Sequence, residues 1–174
     1  MYFGNLKLVD IADGPGVRVT LFVSGCHIHC LGCQNKDAQS FTFGKEFTQD
    51  TLITILKALE PDYISGFTLC GGEPFSVENH EMCSHIVKEI KNKYPDKSIW
   101  AYSGYYLENI PQTDYTADLL SNIDVLIEGP FILSLRDISD LNRWRGSTNQ
   151  RVLDMSETLK EKKKVYLKNI PNNS

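Results

Sequence analysis

The chain of 174 residues lacks the excess of positive charge that general binding to nucleic acid requires. It carries 18 Lys and Arg residues against 22 Asp and Glu residues, a formal net charge of −4. Its overall field therefore attracts neither phosphates nor anionic membranes. No apolar run approaches the ~20 residues that span a bilayer, and no charged-then-apolar leader opens the chain. We expect a cytoplasmic protein that has no direct nucleic-acid partner and no membrane partner.

Repeats, low-complexity segments and linkers are also missing. The proportions of hydrophobic residues, 41%, and charged residues, 23%, are ordinary for a globular protein. A chain of this length can bury a substantial core. These features predict one domain over residues 1–174, with its core over about residues 6–151 and a C-terminal extension over residues 152–174.

Cysteine is scarce, but three of the five cysteines, Cys26, Cys30 and Cys33, fall within eight residues. They directly follow residues 17–23, an apolar β-branched run that predicts a buried strand. The strand would deliver three thiols to one short loop at its carboxyl end, and closely spaced thiols bind iron–sulfur clusters. Because most clusters take four cysteines, three thiols on a four-iron cluster would leave one iron open to a substrate.

Zinc is the alternative, because three cysteines with His27 or His29 would also make a Cys3His site. Zinc ligands usually come from two separated pairs, whereas Cys70 and Cys83 stand alone and far away in the sequence. The spacing therefore favours a cluster, and a non-enzymatic zinc or electron-transfer module remains the alternative. We expect the two distant cysteines to be core thiols and the two histidines to be loop residues.

Strands and helices alternate along the rest of the chain. Apolar runs predict strands over residues 7–11, 65–70, 98–102, 123–128 and 165–168. Helical periodicity predicts helices over about residues 49–60, 80–94 and 115–122, the first two with Thr48 and Asn79 as N-caps. This alternation predicts an α/β fold with a mostly parallel sheet and flanking helices. Ligands in such folds bind at the carboxyl ends of the strands.

Two motifs together resemble the radical S-adenosylmethionine (SAM) superfamily. Cys-x3-Cys-x2-Cys follows the strand over residues 17–23, and Gly-Gly-Glu-Pro, residues 71–74, ends a later one. The resemblance implies a partial (β/α) barrel, with a [4Fe-4S] cluster held by Cys26, Cys30 and Cys33. SAM would chelate the open iron. The cofactor-binding residues implied in this way are Gly32, Cys33, Gln34, Gly71, Gly72, Glu73, Pro74 and Ser103.

Three further segments narrow the resemblance to activating enzymes of glycyl-radical proteins. Residues 13–18 match the Asp-Gly-Pro-Gly-x-Arg segment of those enzymes. Residues 124–131 and 142–151 resemble the closing segment of the anaerobic ribonucleotide reductase activating branch, although Gln34 stands where that branch usually has tyrosine. The implied partners are the large subunit of that reductase and an external one-electron reductant such as flavodoxin. Another glycyl-radical enzyme as the target remains an alternative.

The implied chemistry needs no acid or base side chain, and we assign no catalytic residue. One electron would cleave bound SAM to methionine and a 5'-deoxyadenosyl radical, which would take a hydrogen atom from a glycine of the reductase. Composition alone predicts an exposed helix over residues 160–164 and a frayed end over residues 172–174. It also favours a solvated basic face for four arginines, namely Arg136, Arg143, Arg145 and Arg151.

Overall fold

The structure is a computed structural model that describes residues 1–138 and 144–168. In these ranges seven strands form one sheet, and four α-helices accompany it. The strands are β1 (Tyr2–Asp10), β2 (Val17–Val23), β3 (Lys45–Glu46), β4 (Ile64–Gly71), β5 (Ser98–Ser103), β6 (Val125–Glu128) and β7 (Arg151–Asp154). The helices are α1 (Gln49–Ala58), α2 (His80–Lys93), α3 (Asp114–Asn122) and α4 (Met155–Glu161). None of these helices is long and apolar enough to cross a membrane.

The sheet is mixed, with the strand order β3-β1-β2-β4-β5-β6-β7. The four central strands, β2, β4, β5 and β6, run parallel to one another. The other three pairings are antiparallel. The α/β class is confirmed, but the prediction of a mostly parallel sheet is wrong. Residues 11–16, which join β1 to β2, are too few for a parallel crossover, so these two strands form a hairpin. The partial barrel stays a prediction.

The sequence predicted two N-cap residues, one at the start of α1 and one at the start of α2. The Thr48 side chain accepts a hydrogen bond from the Thr51 amide, and together they form a capping box at the start of α1. Asn79 occupies the same position before α2, but its side chain makes no capping hydrogen bond. The capping role predicted for Thr48 is therefore confirmed, whereas the one predicted for Asn79 is wrong.

Both cysteines outside the loop lie in the core, as predicted, since Cys70 and Cys83 are buried. The end of the chain differs more from the prediction. Helix α4 ends near the start of the predicted helix, and the strand predicted over residues 165–168 is a single bridge between Leu153 and Tyr166. Strand β7 lies across the predicted limit between the core and the C-terminal extension, at about residue 151. Residues 142–143 and 172–174 lie outside the described residues.

A fully buried arginine joins the amino-terminal ends of the central strands. The Arg18 guanidinium donates hydrogen bonds to Thr68 Oγ1 at 2.7 Å, to the Phe67 carbonyl at 2.7 Å and to the Ser98 carbonyl at 2.9 Å. Burial lowers its pKa to about 10. The Thr68 hydroxyl in turn donates to the Asp13 carbonyl at 2.9 Å. Arg18 therefore supports the turn that carries Asp13 towards the carboxyl ends of the strands.

Candidate functional site

The carboxyl ends of the central strands open into a cavity of about 680 Å³. All three loop thiols, Cys26, Cys30 and Cys33, line this cavity. Of the other residues predicted to bind the cofactor, five also line it: Gln34, Gly71, Gly72, Glu73 and Ser103. The structure thus brings together most of the predicted site. Gly32 lies exposed in the cysteine loop, and Pro74 is buried.

The cysteine loop, residues 26–33, is fixed at its start and left open towards the cavity. The Gly25 amide donates to the Ala38 carbonyl at 2.7 Å, and the Cys26 amide donates to the Gln39 carbonyl at 3.1 Å. Gly25 has a φ of 97°, a conformation that glycine adopts without strain. All three thiols are free and half-buried, so their sulfurs remain available to a ligand in the cavity.

The second motif is bonded directly to the cysteine loop. The Glu73 amide donates to the Gly25 carbonyl at 2.8 Å, and the Gly72 amide donates to the Val23 carbonyl at 2.7 Å. A Cβ on Gly72 would lie 2.4 Å from the Gly25 carbonyl oxygen, so only glycine permits this close approach. The two sequence motifs therefore form one rigid structural unit.

Asn79, which sequence reasoning treated as a helix cap, bridges the two motifs instead. It is 1% exposed, and its side-chain amide donates to the Ser24 carbonyl at 2.9 Å and to the Glu73 carbonyl at 3.0 Å. The sequence offered no signal for this role, because asparagine is also a preferred N-cap residue. Asn79 holds the start of the cysteine loop against the Gly-Gly-Glu-Pro motif.

The Glu73 carboxylate is fully buried and bonded to the chain itself. Oε1 accepts hydrogen bonds from the Ser103 hydroxyl at 2.9 Å and the Phe75 amide at 3.1 Å, and Oε2 accepts one from the Gly104 amide at 2.8 Å. Burial raises the pKa of Glu73 to about 7, against the opposite effect of these hydrogen bonds. Its side chain therefore joins β4 to the end of β5.

Replacing Glu73 with glutamine should remove a pH dependence of stability. The folded pKa of about 7 lies above the ordinary value of 4.5, so between these pH values the folded chain keeps a proton that the unfolded chain has lost. The stability of the wild type relative to the variant should then fall by roughly 2–3 kcal/mol as pH rises through this window.

Denaturant unfolding of the metal-free wild type and Glu73→Gln across pH 4.5 to 8 measures this difference. Glu46→Gln, which changes an exposed carboxylate, is the control and should follow the wild type. Parallel stability profiles for the wild type and Glu73→Gln would show that Glu73 does not titrate in this window.

The cavity wall also carries polar groups that the sequence prediction assigned no role. Lys7, Asp13, Tyr102 and Trp144 line it. Burial, together with the neighbouring Asp10 carboxylate, raises the pKa of Asp13. Lys7 Nζ lies 3.2 Å from Asp10 Oδ1 and 3.9 Å from Asp13 Oδ2. Asp13 and Trp144 belong to segments identified by resemblance, which was the signal that could have pointed to them.

Of the four arginines of the predicted basic face, one is buried and a second is half-buried and paired with a buried carboxylate. Arg145 is buried, and its Nε donates to Asp137 Oδ2 at 3.2 Å. Arg151 Nε lies 2.7 Å from Oε1 of Glu128, which is itself fully buried. Composition alone gave the wrong interpretation here because each arginine pairs with a carboxylate elsewhere in the chain. Arg136 is exposed, as predicted.

The donor groups on the cavity wall fit an iron–sulfur cluster. His27 Nε2 lies 2.8 Å from Glu78 Oε1, and His29 Nδ1 lies 3.1 Å from Gln39 Oε1. Both histidines therefore already have partners. Within residues 1–138 and 144–168, no three His, Cys, Asp or Glu side chains group closely enough for a single metal ion. The three thiols line one cavity, and a cluster can take each thiolate on a separate iron.

Comparison with known proteins gives the same assignment. Residues 12–153 match the family model of the 4Fe-4S single cluster domain. The anaerobic ribonucleoside-triphosphate reductase-activating protein of Enterobacteria phage T4 is 36% identical over 152 residues, which cover 87% of this chain and 93% of the phage protein. The protein of the same name from Pasteurella multocida is 41% identical over 143 residues, which cover 81% and 89% of the two chains.

A third relative of the same name, from Escherichia coli K12, is 38% identical over 146 residues, which cover 83% of this chain and 92% of the relative. The residues that the family model matches include the cysteine loop and the second motif. The chain therefore contains a 4Fe-4S single cluster domain and belongs to the family of anaerobic ribonucleoside-triphosphate reductase-activating proteins.

Proposed function

We propose that the chain binds a [4Fe-4S] cluster through Cys26, Cys30 and Cys33 and binds SAM beside it. With these groups it would generate a glycyl radical on the large subunit of an anaerobic ribonucleotide reductase. The observation that supports this most strongly is that one cavity is lined by all three thiols and by the second motif. The names of the relatives support the choice of target.

The cluster and SAM would supply radical chemistry that side chains cannot. When bound, and given one electron by an external reductant such as flavodoxin, they would supply reductive cleavage of SAM to methionine and the removal of a hydrogen atom from the target glycine, with 5'-deoxyadenosine as the second product. We also propose a cytoplasmic location, where thiols stay reduced.

The chain's own residues would orient these groups. The Glu73 carboxylate is occupied by donors of the chain, and the Ser103 hydroxyl donates to it while accepting a hydrogen bond from the Tyr105 amide at 3.0 Å. Both side chains therefore act as supports. In the second motif, the backbone of Gly71 and Gly72 would therefore contact the SAM amino group. Gln34 lies on the wall of the same cavity.

The cysteine loop would contribute mainly through its backbone as well. Gly32 has a φ of 75°, a left-handed conformation that favours glycine. Pro74 ends the second motif and is buried, so it would support the turn that borders the cofactor. Cys33 would be both a cluster ligand and part of the backbone that borders SAM.

Anaerobic reconstitution tests the proposal. The chain is loaded with iron and sulfide, reduced and given SAM, and 5'-deoxyadenosine is measured by chromatography. We expect the product from the wild type and none from Cys26→Ala. Added large subunit should then show a glycyl radical in its electron paramagnetic resonance spectrum. Uptake of zinc in place of iron, or a full cluster that never yields 5'-deoxyadenosine even with the large subunit present, would contradict the proposal.

A further inference from the structure

Exposed apolar side chains border the mouth of the cavity. We name five of them the apolar rim: Ile11, Leu31, Leu133, Leu135 and Ile138. Their exposed fractions run from 42% for Leu135 to 85% for Ile138. Ile11 lines the cavity itself, and Ile138 directly follows Asp137, another lining residue. Grouped apolar exposure of this kind marks an interaction surface more often than scattered exposure does.

The rim connects the cysteine loop to a second segment of the chain. Leu31 lies between two of the proposed cluster ligands and is 82% exposed. A Cβ on its neighbour Gly32 would lie 3.1 Å from Leu133 Cδ1, so the Leu133 side chain lies directly over the loop. Phe131, two residues before Leu133, lines the same cavity as Cys30. The rim is therefore continuous with the proposed cluster site.

Backbone hydrogen bonds hold the rim residues of the second segment in place. The Thr148 amide donates to the Leu135 carbonyl at 2.8 Å, and the Asp137 amide donates to the Gly146 carbonyl at 3.0 Å. The buried ion pair between Arg145 and Asp137 lies in the same segment. The apolar side chains thus project from an ordered frame, which lowers the entropic cost of binding a partner.

We infer that the apolar rim docks the surface of the reductase large subunit that presents the target glycine. The inference rests on the proposed function, because hydrogen-atom transfer requires the glycine to reach the cavity in direct contact. The surface of the large subunit around that glycine must then cover the apolar rim. Burying apolar side chains there would also exclude water from the reacting groups. The relatives are named as activators of a separate protein, which favours this partner over a second copy of the chain.

The experiment compares Leu135→Asp and Ile138→Asp with Leu159→Asp. Leu159 is 46% exposed and lies on α4. This helix begins next to the amino-terminal end of β6, because Asp154 pairs with Val125, the first residue of that strand. The cavity lies at the opposite, carboxyl ends of the central strands. Binding of each reconstituted protein to the purified large subunit is measured anaerobically by calorimetry. We expect each rim variant to bind about 30-fold more weakly, as for a charged group placed in a binding hot spot. The control should bind within about twofold of the wild type.

A second measurement separates this inference from the proposed function. Formation of 5'-deoxyadenosine without the large subunit should be equal in the wild type and both rim variants. Rim-dependent binding by a chain that yields no 5'-deoxyadenosine would support the docking surface while contradicting the proposed chemistry. Wild-type affinity in both rim variants would overturn the docking surface. So would loss of self-association in the rim variants without a change in their affinity for the large subunit.

Discussion

Cys30→Ala should yield a folded chain that assembles no cluster. The two remaining loop thiols, Cys26 and Cys33, cannot replace three, and the neighbouring histidines already have partners in Glu78 and Gln39. Because the thiol is half-buried on the cavity wall, its removal leaves the core unchanged. Iron content and the visible absorption of the cluster after anaerobic reconstitution should fall to background. Formation of 5'-deoxyadenosine should disappear with them.

Cys70→Ala is the matched control, since Cys70 lines the same cavity but lies within β4, where it pairs with Phe22 of β2. Its thiol is buried in the strand, whereas the three loop thiols are half-buried. This variant should retain a full cluster. A full cluster in Cys30→Ala would overturn the ligand assignment, and loss of the cluster in Cys70→Ala would place a fourth thiol among the ligands.

The sequence predicted which residues come together at the cavity, because the two motifs follow the central strands directly. The strand predicted over residues 17–23 matches β2 residue for residue, and the cysteine loop comes next. In a parallel sheet the carboxyl ends of neighbouring strands share one edge, so local predictions were enough to bring the two motifs together. The contact of Gly72 with the Gly25 carbonyl gives this proximity a physical basis.

The parts that could not be predicted depend on partners far away in the sequence. Strand β7 pairs with β6 in the antiparallel sense after an intervening segment of more than twenty residues, and its four residues carry little pattern of their own. Arg151 seemed a surface residue until its partner, the buried Glu128, was known. Single-residue propensities do not contain such pairings, because burial and charge pairing are decided by the assembled sheet.

Asn79 shows the same limit most clearly, since one residue type suits two roles. As a helix cap, its side chain would accept a hydrogen bond from an amide of α2. In the structure it donates instead, to the carbonyls of Ser24 and Glu73. Aspartate distinguishes the two roles, because it caps helices as well as asparagine does but has no hydrogens to donate when ionised.

Asn79→Asp should therefore destabilise the chain by about 4 kcal/mol and sharply reduce cluster assembly. The buried Ser24 carbonyl loses its side-chain donor at a cost of ~1–3 kcal/mol, the Glu73 carbonyl keeps only the Ser76 amide as a donor, and a buried carboxylate faces both oxygens. Because the bridge joins the cysteine loop to the second motif, its loss should also loosen the geometry of the thiols. Denaturant unfolding of the metal-free protein and iron content after reconstitution measure the two effects.

Asn122→Asp is the control, because it makes the same change at a half-exposed site whose amide donates to the Asp118 carbonyl at 2.8 Å. Water can solvate the new carboxylate there, so its stability should change by no more than ~0.5 kcal/mol and its cluster should assemble normally. If Asn79 acted only as a cap, Asn79→Asp would be neutral or slightly stabilising, since a negative charge is favourable at a helix N-terminus. A loss confined to Asn79→Asp would instead identify the side-chain bridge as the element that keeps the thiols and the second motif in register.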